Sequence, residues 1–296
     1  MAGRPIAPIL GGVVLDYSQL LTNIAPISLD EIAGNIFPPK NLKYPAIKII
    51  IAPCRSGSNA LCVAFAQCGY RCYSQPIKSI LRSLYLNKKR TWQIPDEWDC
   101  IVIKETFGPF VSVECNLDPI TIFEKINYPK DKLTFIALFR NPLHSFSSWR
   151  QWWPEASIDN FIKSYLNAYL CREKALLSGV PGITIVYDLL KGNDPSKIMN
   201  KLFRKIEMIY YPSAIEWKTH PNYGSEESNI QMIRDDPEFI TKDIFNDVNN
   251  SRKFQFVERK IKNLKKTEIQ KILDAKLMSL YKKLCIISEE DLDLRY

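Results

Sequence analysis

The hydrophobic pattern is sharpest just before residue 50. Ile47, Ile49, Ile50, Ile51 and Ala52 form a β-branched, near-continuous run around Lys48, too short for a helix and closed by Pro53. A polar turn follows. Ala60 to Gln67 then reads as a helix that Gly69 is placed to terminate. Arg71 to Ser74 predicts a short second strand, and Asp99 to Lys104, Leu133 to Phe139 and Gly182 to Tyr187 predict three more. Their apolar positions run on without alternation, which implies burial on both faces, as in a parallel sheet covered by helices. The segments between them carry helical periodicity, best in Ile158 to Leu177, where Phe161, Tyr165, Ala168, Tyr169 and Leu176 recur. Strands alternating with helices over about 150 residues predict an α/β chain, a three-layer αβα fold around a mostly parallel central sheet.

The flanks read differently. Pro38-Pro39 and the Asn41 to Pro45 stretch mark the end of an N-terminal extension. One domain over 1–296 is expected, with an extension at 1–45, an α/β core at 46–210 and a mainly helical part at 211–296. From Asn229 the pattern turns helical and charged. Thr267 and Gln270 have the spacing of a capping box, and Ile269, Ile272, Leu273, Leu277, Leu280 and Leu284 form one apolar stripe for packing on the sheet layer.

Composition narrows the class without naming it. Across 296 residues, 46% are hydrophobic and 24% charged, which excludes a disordered, collagenous or coiled-coil protein. No apolar run approaches the ~20 residues of a bilayer span. Pro8 to Leu15 lacks the basic leader and cleavage site of a signal peptide, so a cytoplasmic protein without membrane attachment is expected. Lys and Arg number 40 against 32 Asp and Glu, a charge of +8 that suits an anionic ligand and identifies none. The basic residues are dispersed and carry no aromatic–basic recognition signature, so no nucleic-acid partner is expected. Eight cysteines are too few for a disulfide scaffold, and Cys54, Cys62, Cys68 and Cys72 contain no C-x-x-C pair. With only His144 and His220 besides, no metal site is expected, and the cysteines read as reduced thiols.

The chemistry concentrates where the first strand ends. In Pro53-Cys54-Arg55-Ser56-Gly57-Ser58-Asn59, a buried strand meets a helix start, so free amides and a positive dipole end gather at one point. Such a place holds phosphate. Gly57 admits close approach of the backbone, Ser56, Ser58 and Asn59 add donors, and Arg55 adds a fixed charge. An ordinary turn capped by Ser56 or Ser58 fits the same residues. The G-x-x-x-x-G-K-[ST] loop of kinases and nucleotide hydrolases needs a lysine where Ser58 stands, which points to a ligand with no γ-phosphate to transfer.

This stretch resembles the 5′-phosphosulfate loop of the P-loop sulfotransferases, P-[KR]-S-G-[TS]-[TSN], and more closely that of the soluble bacterial-type members. Three further segments carry the resemblance, which extends over about Ile47 to Phe203. The strand ending in Arg140-Asn141-Pro142, with Ser148 eight positions after the arginine, is similar to the family's 3′-phosphate motif, Asn141 replacing the usual Asp. Ile183 to Lys191, with Tyr187 where the family's tyrosine approaches adenine, resembles the late strand ending in Y-E-D-L. Lys104-Glu105-Thr106 resembles the K-T-H segment, with Thr106 in place of the catalytic histidine. Arg252-Lys253 stands where an R-K-G segment closes over the 3′-phosphate, although the glycine is missing.

The resemblance implies transfer of a sulfuryl group from 3′-phosphoadenosine 5′-phosphosulfate (PAPS), leaving the bisphosphate PAP. It implies Arg55, Lys104 and Glu105 as catalytic groups, with His144 a second candidate base. Arg55, Ser56, Gly57, Ser58, Asn59, Arg140, Ser148, Tyr187, Arg252 and Lys253 would hold the donor, and no metal is required. The acceptor would be a hydroxyl or amine on a small molecule such as a specialised metabolite. Phe107, Phe110, Trp149, Trp152 and Trp153 would either line its pocket or belong to the core. Two other readings stay open: a P-loop kinase or nucleotide-binding enzyme, and a catalytically degenerate protein that binds PAP.

Overall fold

β2 (Ala46–Pro53) is the strand around which the rest is laid, and it is paired on both sides. The structure, a computed structural model, describes residues 27–191, 194–218, 229–232, 249–251, 253–254, 261–262 and 264–294. Ile47, Ile49 and Ile51 enter one apolar core and Ile50 and Ala52 the other, as an unalternating run must when both faces of a strand are covered. β5 (Cys100–Phe107) and β6 (Leu133–Phe139) flank β2 in parallel register. β3 (Arg71–Ser74) and β7 (Gly182–Val186) lie outside those, and β8 (Ile230–Met232) completes the order β7-β6-β2-β5-β3-β8. All six strands are parallel, so the expected α/β class is the observed one. β1 (Ile36–Phe37) and β4 (Trp92–Gln93) form a separate parallel pair.

Helices cover both faces. On one, α2 (Ser58–Gln67) and α8 (Pro195–Lys205) pack through Leu61, Phe65, Met199, Leu202 and Phe203. On the other lie α1 (Leu29–Ala33), α3 (Pro76–Tyr85), α4 (Pro119–Lys125), α5 (Pro142–Trp152) and α6 (Ile158–Leu177). A short turn, α7 (Tyr187–Leu190), follows β7. α9 (Lys266–Asp274) and α10 (Leu277–Asp291) close the chain on the α6 side. Residues 27–45 are built into the body, with Ile32 and Ile36 buried in the same core as β2.

The boundaries of several elements match the sequence pattern, and the departures have causes. β5 runs three residues past Lys104, because Glu105, Thr106 and Phe107 continue to pair with Ile51, Ala52 and Pro53. The charged C-terminal part contributes β8, a strand paired to Cys72–Ser74 on which Ile230 is buried. The apolar stripe beyond Ile269 belongs to two helices, broken where Lys276 takes a positive φ of 54°. The capping box is displaced as well. Glu268, not Gln270, reaches back to the helix start and accepts from the Lys265 amide at 2.8 Å, while Gln270 donates to Asp274.

Gly182 starts β7 with its α-carbon against the buried ring of Phe135, so a methyl group there would run into the ring. Gly182→Ala should therefore cost about 1–3 kcal/mol, the range for overpacking a core that cannot retreat, read as a lowered urea midpoint at equilibrium.

Candidate functional site

The site follows from strand order. β2 leaves through α2 toward β3 on one side, while its neighbour β6 leaves through α5 and α6 toward β7 on the other. Adjacent parallel strands whose exits diverge open a crevice at their carboxyl ends, where open α/β sheets bind ligands. Arg55 follows β2 and Arg140 follows β6, so the two motifs, 85 residues apart, meet at that crevice.

The β2–α2 turn is built for close approach. Arg55 and Gly57 both take positive φ, 69° and 94°. No side chain caps α2, so its first amides have neither a helical nor a capping acceptor. The Ser56 hydroxyl is fully buried and has no hydrogen-bond partner, a state that is costly unless something else supplies one. A β-carbon at Gly57 would lie 2.6 and 2.7 Å from the Tyr187 ring, so only glycine lets that ring rest on the turn.

Arg55 is held from three directions. Its Nε donates to Ser148 Oγ at 2.9 Å, its guanidinium lies 5.4 Å from the Trp152 ring, and its carbonyl accepts from Arg140 Nη1 at 3.4 Å. Arg140 in turn sits 4.6 Å above the Tyr187 ring. Arg55, Ser56, Gly57, Ser58, Arg140, Ser148 and Tyr187, expected to share a site, thus form one contiguous group. Asn59 joins it and accepts from Lys104 Nζ at 2.6 Å.

Lys104 is buried beneath α2, and loss of hydration pulls its ammonium down from 10.5 to about 8. Glu105 is not brought to the same place. One position further along β5, its side chain leaves the sheet on the opposite face. There its carboxylate accepts from the Ile77 and Lys78 amides at 2.7 and 3.2 Å and so caps α3. Burial pushes its pKa up to about 8, against the pull of those amides and of Lys78. Thr106 donates to Gln75 Oε1 at 2.9 Å, and His144 lies half-buried in the first turn of α5. Arg252 lies outside the described residues. Lys253 is exposed, and its backbone forms an isolated antiparallel β-bridge with that of Glu216, away from the turn.

The aromatic candidates divide. Phe107 and Trp149 are fully buried, and Trp149 donates to the Cys54 carbonyl at 2.8 Å, supporting the turn from below. Phe110, Trp152 and Trp153 are half-buried, with the Phe110 and Trp153 rings 5.7 Å apart. Of the three, Trp152 lies against Arg55 and Phe110 against Arg82. The sequence reading missed a buried network behind the turn, in which Glu114 accepts from Arg82 at 2.6 Å and pairs with Lys78 at 3.4 Å. The signal was available, since Lys78 and Arg82 sit one turn apart on a segment whose other positions, Ile77, Ile80 and Leu81, are apolar.

No family model and no curated protein matches the chain. Among the described residues, no helix is long and apolar enough to cross a membrane. None of the described cysteines forms a disulfide, and no described group of His, Cys, Asp and Glu is arranged to hold a metal.

Glu105 makes stability depend on pH with a definite sign. Its folded pKa lies above the unfolded 4.5, so the folded state holds more protons, and stability present below about 4.5 is lost as pH rises toward about 8. Glu105→Gln should flatten that slope, seen by comparing wild-type and variant urea midpoints across this window. Parallel slopes in the two proteins would remove the assignment.

Proposed function

We propose that the chain is a sulfotransferase that uses PAPS and passes its sulfuryl group to a hydroxyl or amine of a small acceptor. The observation that carries this reading is the contact between Arg55 and Ser148, which joins the two segments resembling the donor's 5′- and 3′-phosphate motifs. A turn with uncapped amides, a partnerless buried hydroxyl at Ser56 and a glycine under a tyrosine ring fits a bisphosphorylated adenosine.

PAPS would supply an activated sulfuryl group, its bond to the 5′-phosphate breaking as the acceptor bonds to sulfur, which leaves PAP and passes the acceptor's proton to the leaving phosphate or to water. The chain's part is positioning and electrostatics, as in phosphoryl transfer. The α2 amides, the Ser56 hydroxyl and the Ser58 and Asn59 side chains would bind the 5′-phosphate end, and Arg55 would offset charge growing on the leaving phosphate. Lys104, reaching from β5 to Asn59 on α2, would steady the sulfuryl oxygens. Arg140 and Ser148 would hold the 3′-phosphate. Phe110, Trp152 and Trp153 would border the acceptor and keep water away.

The geometry favours a second reading at one point. Glu105 is committed to α3 and Thr106 occupies the family's histidine position, which suits a protein that binds PAP without catalysing transfer. The two readings diverge in one assay. Both predict stabilisation by PAP but not by ATP with Mg²⁺ in a thermal-shift experiment, whereas only the enzyme sulfates an acceptor from a panel of phenols, alcohols and amines. Stabilisation by ATP with Mg²⁺ alone would favour a kinase and sink both.

Removing a donor aimed at developing charge costs about 3–4 kcal/mol of barrier, so Arg55→Ala and Lys104→Ala should each lower turnover on the order of a hundredfold or more. Lys104 also sets a pH limit. An anion beside it raises its pKa, so PAP affinity should hold below about 8 and fall as pH rises past that value, when the free protein loses the proton. Calorimetry across pH 7–9.5 should show this decline in the wild type and not in Lys104→Met.

A further inference from the structure

We propose that Tyr281, on the C-terminal helix, is a positioning residue that holds Tyr187 over the β2–α2 turn. The inference rests on the anion-site reading above for its functional consequence and on geometry alone for the contact itself.

β7 ends the sheet order, so the amides on its outer side have no strand to bond. α10 supplies side chains instead. Asp291 Oδ2 accepts from the Thr184 amide at 2.7 Å and Ser288 Oγ from the Val186 amide at 3.1 Å. Tyr281 then donates its hydroxyl to Asp188 Oδ2. Thr184 and Val186 share one side of β7 and Asp188 follows in α7, while 291, 288 and 281 recur on one face of the helix. The helix therefore runs antiparallel along the sheet edge in place of a seventh strand. Its last grip falls on the residue after Tyr187.

That grip adds to the burial of Tyr187 and Leu190 in fixing the segment. α7 spans four residues, too short to be stable alone, and no side chain caps it. Yet the Tyr187 ring must rest on Gly57 and under Arg140 at once. Tyr281 is buried although Asp188 itself is exposed, so water reaches the pair only from the carboxylate side, and burial beside that carboxylate keeps the phenol protonated and donating. α10 itself does not depend on this bond, since Leu277, Leu280 and Leu284 anchor it in the main core. Losing the hydroxyl should release the Tyr187 turn and leave the helix docked.

The test uses PAP calorimetry and fluorine NMR of the protein labelled with 3-fluorotyrosine, the Tyr187 signal being assigned from Tyr187→Phe. Tyr281→Phe should weaken PAP binding about tenfold, the scale of one hydrogen bond to a charged group, and displace or broaden the Tyr187 signal. Leu284→Val, a core change on the same helix, should lower the melting temperature at least as much yet keep affinity within about twofold. Asp188→Asn keeps an oxygen for the phenol and should stay near wild type, whereas Asp188→Ala should behave like Tyr281→Phe. Affinity and fluorine signal both unchanged in Tyr281→Phe overturn the proposal, as does an affinity loss that merely tracks melting temperature in both helix variants. Wild-type protein that fails to bind PAP defeats the sulfotransferase reading instead. The fluorine signal then decides the positioning role, which stands if the signal moves in Tyr281→Phe and falls if it does not.

Discussion

Arg55 sits in the left-handed region of backbone space, where a long side chain costs about 1–3 kcal/mol and stays only if its surroundings over-determine it. Here they do. Ser148 and Trp152 from α5 fix the guanidinium, and Arg140 from the end of β6 fixes the carbonyl. The strained turn of the central strand is thus stabilised by the exit of the strand beside it. One consequence is that the crevice between β2 and β6 is set before any ligand arrives. Its donors need little reorganisation to meet an anion, which is the condition under which fixed dipoles and charges are most effective.

Much of this was legible from local pattern. Parallel, doubly covered strands announce themselves by unbroken apolar runs, and β6 and α6 begin and end where periodicity places them. The turn at Arg55–Asn59 was legible because glycine and small polar residues after a buried strand have few other uses. What escaped was decided by tertiary pairing. Ile230–Met232 is a strand only because β3 offers an edge, and nothing within its own three residues says so. The face that a side chain occupies was lost in the same way. Lys104 and Glu105 look like neighbours at a strand end until the strand proves longer than its apolar run, and they then separate to opposite sides of the sheet.

The C-terminal region shows the same dependence in reverse. An apolar stripe predicts packing, and α10 does pack, but Ser288 and Asp291 lie off that stripe and saturate the edge of β7. Polar residues used this way resemble ordinary surface residues in sequence. Their role appears only when the open edge and the helix are seen together, and it ties the last helix to the turn that carries Tyr187.

The alternation of β5 also sorts the buried charges. On the α3 face, Glu114 is matched by Lys78 and Arg82, and Glu105 is held by helix amides, so each buried carboxyl there has its partners within the fold. On the α2 face, Lys104 meets the neutral amide of Asn59 and has lost enough hydration for its ammonium to weaken to about 8. A cation in that condition gains most from an arriving anion, because the anion restores the attraction that burial removed. A single residue step along one strand therefore separates a network that holds the fold from a cation that burial has weakened. Glu105, across the strand, still attracts the Lys104 ammonium, but burial outweighs that pull.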